Sequence, residues 1–167
     1  MRTPATIKKH PLHPMLITLP IGLFVFSLVS DIIFLAGWGP PVWRDVAFYT
    51  LSGGLVTALI AAVPGLIDYA SLPESPVKKT ATKHLLLNLS MVVVFLIDFL
   101  MRFQNPLNIG MPFALSVLGV ALLGYAGWLG ASLVHEHGVT ITDADSRDKT
   151  IRPSETDETD VDYRKAA

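Results

Sequence analysis

Residues 15–36, MLITLPIGLFVFSLVSDIIFLA, form an apolar run of 22 residues that contains a single charge, Asp31. An α-helix rises about 1.5 Å per residue, so this run is long enough to cross a hydrocarbon core of about 30 Å. Three further runs have the same character: residues 46–67, 85–101 and 112–134. The sequence therefore predicts an all-α fold, an integral membrane four-helix bundle.

The composition of the whole chain agrees with a membrane protein. Of its 167 residues, 51% are hydrophobic and only 16% are charged, and the charges are concentrated outside the four apolar runs. A soluble domain carries about a quarter charged residues. The absence of cysteine excludes disulfides and thiolate metal sites, and the net charge of −1 argues against nucleic acid as a partner. The expected environment is a lipid bilayer.

The four runs divide the chain into an N-terminal His-Pro segment (1–14), a bundle (15–137) and an acidic tail (138–167). The tail has few large apolar residues, so we expect it to be disordered. Four spans place both termini on one side of the membrane, called side A, and the loops after the first and third spans on side B. Side A carries eleven Lys and Arg residues against two on side B. This bias predicts a multi-pass protein of the bacterial inner (plasma) membrane with cytoplasmic termini.

All the histidines and one carboxylate converge on the side A end of the bundle. Every helix is expected to deliver an imidazole or a carboxylate there, and these groups bind iron, zinc, copper or manganese, while two imidazoles can hold a haem. An ordinary role at the membrane interface is the alternative for each residue. His135 and His137 diverge on a helix, so only one of them is expected to join a site. The candidate ligands are His10, His13, Asp68, His84 and His137.

The segment His10-Pro11-Leu12-His13-Pro14 has its own local geometry. A residue before proline favours the extended or polyproline II conformation, which has three residues per turn. His10 and His13 are therefore expected to point the same way, and Pro14 suits the first position of the first helix. Asn88, one turn after His84, is a candidate to orient that imidazole by a hydrogen bond without itself binding the metal.

Two carboxylates, Asp31 and Asp98, form a second group about one turn from the side B ends of the first and third spans. Carboxylates within a membrane are costly and indicate a functional site with a partner. Arg102 follows Asp98 by four residues and Arg44 lies on the same side, which favours charge pairing. Passage of protons or cations past the two carboxylates is the alternative.

Small residues recur four apart in the second span, at Gly53, Thr57 and Ala61, and glycines are frequent late in the fourth. Such residues allow close helix packing within the bundle, and a homodimer interface is the alternative. No tandem repeat is evident. Nothing resembles a nucleophile elbow, a P-loop, a dinucleotide fingerprint or an HExxH helix, so we do not expect an enzyme.

Three motifs together resemble the small bacterial membrane proteins grouped as the domain of unknown function family 2231. The motifs are the double His-Pro segment 10–14 leading into Leu19-Pro20-Ile21-Gly22, then Pro64-Gly65-Leu66-Ile67-Asp68-Tyr69, and finally Gly127-Trp128-Leu129-Gly130 followed by His137-Gly138-Val139. The resemblance covers residues 10 to about 140. It departs from the family pattern at Ser132 and His135, which makes His137 the better candidate ligand. Some relatives are joined to Rieske-type or cytochrome c modules, which implies a redox role.

The leading hypothesis is that the side A cluster binds haem b or a transition metal (Fe, Zn, Cu or Mn) and serves electron transfer with a redox partner protein. The second hypothesis is a small proton or cation transporter or channel subunit that uses Asp31 and Asp98. The third is a membrane scaffold without chemistry that recruits a partner through its tail.

Overall fold

The computed structural model describes residues 4–8 and 10–136, and this part of the chain is almost entirely helical. Its helices are α1 Leu12–Leu16, α2 Thr18–Leu35, α3 Val42–Ala70, α4 Pro76–Gln104 and α5 Gly110–His135. Two short antiparallel strands, β1 Thr6–Ile7 and β2 His10–Pro11, precede them. α1 and α2 together form the first apolar span, and α3, α4 and α5 form the others. The predicted all-α membrane fold with four spans is confirmed.

The third span is longer than its apolar run of 85–101, because α4 begins at Pro76 and ends at Gln104. The Oγ of Ser75 accepts a hydrogen bond from the Lys78 backbone N–H at 3.3 Å and so caps the helix. Pro76 occupies the first turn, where its missing N–H costs nothing. The polar residues 76–84 therefore continue the same helix beyond the apolar run.

The helices pack as two hairpins. α2 lies mainly against α3 and α4 mainly against α5, while smaller contacts of α3 with α4 and of α2 with α5 join the hairpins. The buried core between them consists of Phe24, Leu51, Leu55, Met91 and Phe95. At its centre the rings of Phe24 and Phe95 stack with centroids 3.9 Å apart and planes within 5°.

Glycines opposite these two rings permit the close packing. A Cβ atom at Gly54 would lie 2.6 Å from the Phe24 ring, and one at Gly119 would lie 2.5 Å from the Phe95 ring. Real Cβ atoms do not approach so closely. These small residues therefore serve packing within the bundle. Gly124 and Gly127 differ, since nothing lies within 4 Å of a Cβ added at either.

The outer surface of the bundle is apolar on all four spans. Large aliphatic side chains such as Val56, Leu59, Val93 and Leu96 are 44 to 61% exposed. A soluble bundle would present polar groups at these positions. The surface thus agrees with a lipid bilayer as the environment of the helices.

We expect Gly54→Ala and Gly119→Ala each to destabilise the protein by about 1–3 kcal/mol, because the added methyl group must displace a buried aromatic ring. Gly124→Ala is the matched control, since its methyl group enters open space. The measurement is the midpoint of unfolding by circular dichroism in one detergent. Equal midpoints for the three variants would contradict this packing.

Candidate functional site

Two histidines come together at the side A end of the bundle, one from each hairpin. The Nδ1 atom of His13 in α1 lies 2.8 Å from the carbonyl oxygen of Ala61 in α3. The Nδ1 atom of His84 in α4 lies 2.9 Å from the carbonyl oxygen of Ala126 in α5. A carbonyl oxygen only accepts, so each Nδ1 donates its proton. In the neutral rings the lone pair is therefore on Nε2.

The two imidazoles are close neighbours. Their centroids are 6.5 Å apart and their planes are nearly perpendicular, at 86°. Each ring also packs against a glycine of its own hairpin. A Cβ at Gly65 would lie 2.8 Å from the His13 ring, and one at Gly130 would lie 3.1 Å from the His84 ring. The glycines therefore let the imidazoles lie directly against helix backbone.

Asn88, one turn after His84, contacts the same imidazole. Its Nδ2 donates to the His84 carbonyl oxygen at 2.8 Å and lies 3.2 Å from Nε2 and 3.4 Å from Nδ1 of that ring. Because Nδ1 of His84 donates to Ala126, Nε2 is the acceptor, so the Asn88 amide donates to it and restrains the ring from within its own helix.

The other candidate ligands of side A lie elsewhere. Asp68 is buried at the end of α3, and its Oδ1 accepts the Ala5 backbone N–H at 2.9 Å, which ties the N-terminal segment to the bundle. His10 is exposed, with Nδ1 3.0 Å from the Lys8 carbonyl oxygen, and His135 is exposed at the end of α5. His137 lies outside the described residues.

The expected common direction of His10 and His13 does not describe the structure. His10 is in β2, whereas His13 lies inside the short helix α1, which begins two residues before Pro14. Helix is possible before Pro14 because the first backbone N–H groups of a helix have no partner within it, so the proline there removes no hydrogen bond. Within residues 4–8 and 10–136, no group of three or more His, Asp or Glu side chains is arranged to hold a metal ion.

At the side B end, Arg102 joins both intramembrane carboxylates. Its Nε donates to Asp98 Oδ1 at 2.7 Å, and its Nη1 and Nη2 donate to the two oxygens of Asp31 at 2.8 and 2.7 Å. Ser116 accepts from Arg102 Nη2 at 3.1 Å and donates to Asp98 at 2.8 Å. All four residues are at most 8% exposed. The charge pairing expected from the spacing of Asp98 and Arg102 is present.

Sequence reasoning did not single out Ser116. A serine within an apolar span is the available signal, since a hydroxyl there needs a partner. Gly65 and Gly130 were named only within the family motifs and were not connected with the histidines, because that contact depends on which helix faces which.

A cavity of about 320 Å³ lies beside this ionic network. Asp31 and Arg102 line it together with Arg44, Asp45 and Phe48, near the loop that connects α4 to α5. The volume is within the range of small-molecule sites. The cavity brings the buried network close to the surface of side B.

Four apolar spans with a histidine pair at one end and an ionic network at the other define a four-helix integral membrane protein. The chain belongs to a family described as predicted membrane protein (DUF2231), whose model matches residues 9–143. No curated protein and no solved structure matches it.

We expect Arg102→Ala to destabilise the protein by about 3–5 kcal/mol, because it leaves two buried carboxylates without their cation. Replacement of Asp31 and Asp98 by Asn together with Arg102→Gln should recover much of this loss, since no buried charge then remains. The control is Arg44→Ala, which alters a half-buried arginine at the rim of the cavity. Unfolding midpoints in one detergent measure the effect, and equal losses for Arg102→Ala and Arg44→Ala would refute it.

Proposed function

We propose that His13 and His84 bind a haem or a transition-metal ion and that the protein serves electron transfer with a redox partner protein. The observation that carries this proposal is the matched orientation of the two imidazoles. Both Nδ1 atoms donate to backbone carbonyl oxygens, of Ala61 and Ala126. Histidines that bind metal through Nε2 are held in this way, because the Nδ1–H bond fixes the tautomer and the ring.

The position of the pair in the fold gives further support. Cofactor sites in helical bundles are built in the core by side chains on facing helices, and His13 and His84 come from different hairpins. Glycines 65 and 130 bring the rings against rigid helix backbone, which keeps their directions constant. A redox centre benefits from such rigidity, because its ligands then move little when the charge of the metal changes.

The location also suits exchange of electrons with a second protein. His13 is in the short helix next to β2, and both histidines are half-buried at the end of the bundle that carries the N-terminus. A centre at this end is within reach of a partner at the membrane surface. We place this end on the cytoplasmic face of the bacterial inner membrane, as the distribution of lysine and arginine indicates.

The test is a comparison of cofactor content between histidine variants. The detergent-purified protein is expected to contain iron, copper or manganese in a fixed ratio, measured by elemental analysis, or haem, measured by absorption before and after dithionite. Zinc in a fixed ratio would support metal binding but not electron transfer, since zinc has no redox chemistry. His13→Ala and His84→Ala should each lose most of it, since each removes one of two ligands. His10→Ala and His135→Ala are the controls, because both side chains are exposed and separate from the pair. An unchanged metal or haem content in both His13→Ala and His84→Ala would overturn the proposal.

The cavity beside Asp31 favours a second function, passage of protons or cations. Asp31 follows His13 by 18 residues, so this chemistry would lie about 27 Å from the histidines along the helix. If the two carboxylates carry the ion, replacing Asp31 and Asp98 by Asn should abolish the flux of protons or cations into proteoliposomes. Loss of stability without any flux in the wild-type protein would instead assign them to the charge pairing alone.

A further inference from the structure

The cavity at the side B end is lined by charged side chains from three helices. Asp31 of α2 and Arg102 of α4 are its buried groups, and Arg44 and Asp45 in the first turn of α3 are its more exposed ones. Within residues 4–8 and 10–136, neither Arg44 nor Asp45 forms an ion pair. The charges of both residues are therefore available to a molecule in the cavity.

The charges at this end of the bundle do not balance. The loops and helix ends of side B, residues 31–45 and 98–111, hold three carboxylates and two guanidinium groups, which leaves one negative charge in excess. Arg44 and Asp45 compensate each other at the surface, whereas Arg102 is the single cation between Asp31 and Asp98. The excess therefore lies with the buried network, where the low dielectric strengthens its field.

The helix dipoles do not supply the missing positive charge. α3 and α5 begin on side B, and α2 and α4 end there, so positive and negative helix ends lie side by side. A cleft that carries one sign of charge concentrates ions of the opposite sign. One monovalent cation in the cavity would neutralise this end of the bundle.

Aromatic rings form much of the apolar wall of the cavity. Phe48 and Phe103 line it, and Phe99 lies between them, with ring centroids 5.4 Å from Phe48 and 6.1 Å from Phe103. Neighbouring planes differ by only 13° and 21°, so the three rings form one column. The face of an aromatic ring attracts cations, above all organic ammonium ions, and its apolar surface also accommodates alkyl groups. This wall suits a cation that carries carbon better than a hydrated inorganic ion.

We infer that the side B cavity binds a small organic ammonium ion. Its positive charge lies near Asp31 and Asp45, and its alkyl groups contact Phe48 and Phe103. The volume of about 320 Å³ is at the lower end of the range for small-molecule sites, so the ligand has few atoms. A divalent ion would carry more charge than the network lacks, and an anion would meet the excess negative charge.

This site goes beyond the functions proposed above. It lies at the opposite end of the bundle from the histidine pair, so the presence or absence of a cofactor there does not affect it. It requires binding on side B alone and no passage across the membrane. For the second function it specifies which cation enters the cavity.

The test measures the unfolding midpoint of the full chain, purified in an uncharged detergent, with n-butylammonium chloride as the probe. A ligand that binds only the folded protein raises the midpoint, and the rise grows with the ratio of ligand concentration to Kd. Butylammonium should raise the midpoint, whereas sodium chloride, n-butanol and sodium butyrate at the same concentration should not. These three controls reproduce the ionic strength, the alkyl chain and the opposite charge. Isothermal titration calorimetry then gives the Kd.

Four variants locate the binding. Asp45→Asn and Phe103→Leu should each raise the Kd about 2- to 5-fold, since one removes a carboxylate and the other an aromatic face. Both residues are exposed, so the fold should be retained, and the midpoint without the probe verifies this. Glu74→Gln is the matched charge control, because the exposed Glu74 side chain pairs with Lys78 on side A. Arg44→Gln should lower the Kd, because it removes a positive charge beside the ligand.

Every result of this test bears on the site. Stabilisation specific to butylammonium, weakened in Asp45→Asn and Phe103→Leu, supports it. Weaker binding in Arg44→Gln would show that Arg44 holds an anionic group, which overturns a cationic ligand. Equal stabilisation by sodium chloride would assign the excess charge to an inorganic cation, and equal losses in Glu74→Gln and Asp45→Asn would place the binding outside the cavity. Either result overturns the inference, as does the absence of any stabilisation by butylammonium.

Discussion

The absence of water within a bilayer is the constraint on which the rest of this structure depends. A polar side chain between the helices has no solvent to bond, so each one must find its partner in the protein. Four of the buried polar residues, Arg102, Asp31, Asp98 and Ser116, accordingly meet one another in a single network, whereas Ser27 and Ser30 donate to backbone carbonyl oxygens. That network joins both hairpins at one end. At the other end, backbone carbonyl oxygens satisfy the two imidazoles.

Between these polar ends, close packing of side chains holds the two hairpins together. Lipid is as apolar as the helix surfaces, so burial of apolar area contributes little to association and close contact contributes more. The stack of Phe24 on Phe95 fills the centre, and Gly54 and Gly119 remove the methyl groups that would keep the helices apart. The ionic network then distinguishes the two hairpins, because its counterpart positions hold Asp31 in one and Arg102 in the other. Two copies of the same hairpin would place like charges together.

The sequence predicted the four spans well, because an uncharged apolar run as long as 46–67 rarely belongs to a soluble domain. It underestimated α4, since the polar residues from Pro76 to His84 extend a helix whose start depends on the cap at Ser75. Pairing of Asp98 with Arg102 followed from their spacing along one helix. The sequence did not predict the bidentate bond from Arg102 to Asp31, because that bond depends on which helices are neighbours. The sequence also did not predict that Asp68 is separate from the histidines, where the N-terminal segment binds it through the Ala5 N–H.

An internal repeat, in which His13 and Phe24 of the first span recur as His84 and Phe95 of α4, shows why a sequence pattern fails to reveal a histidine pair that the fold makes plain. Only a few counterparts are identical, among them His13 and His84, and the spacing changes from 71 in the first helices to 65 in the second, because Gly54 follows Asp31 by 23 positions whereas Gly119 follows Arg102 by 17. Neither feature alone indicates duplication. Together with the contacts of His13 with His84 and of Phe24 with Phe95, they explain why two of the five histidines are paired. Where the two halves of such a repeat meet, a residue lies against its own counterpart, so one histidine per hairpin suffices to form the pair. His10 and His135, by contrast, are exposed and lie apart from the pair.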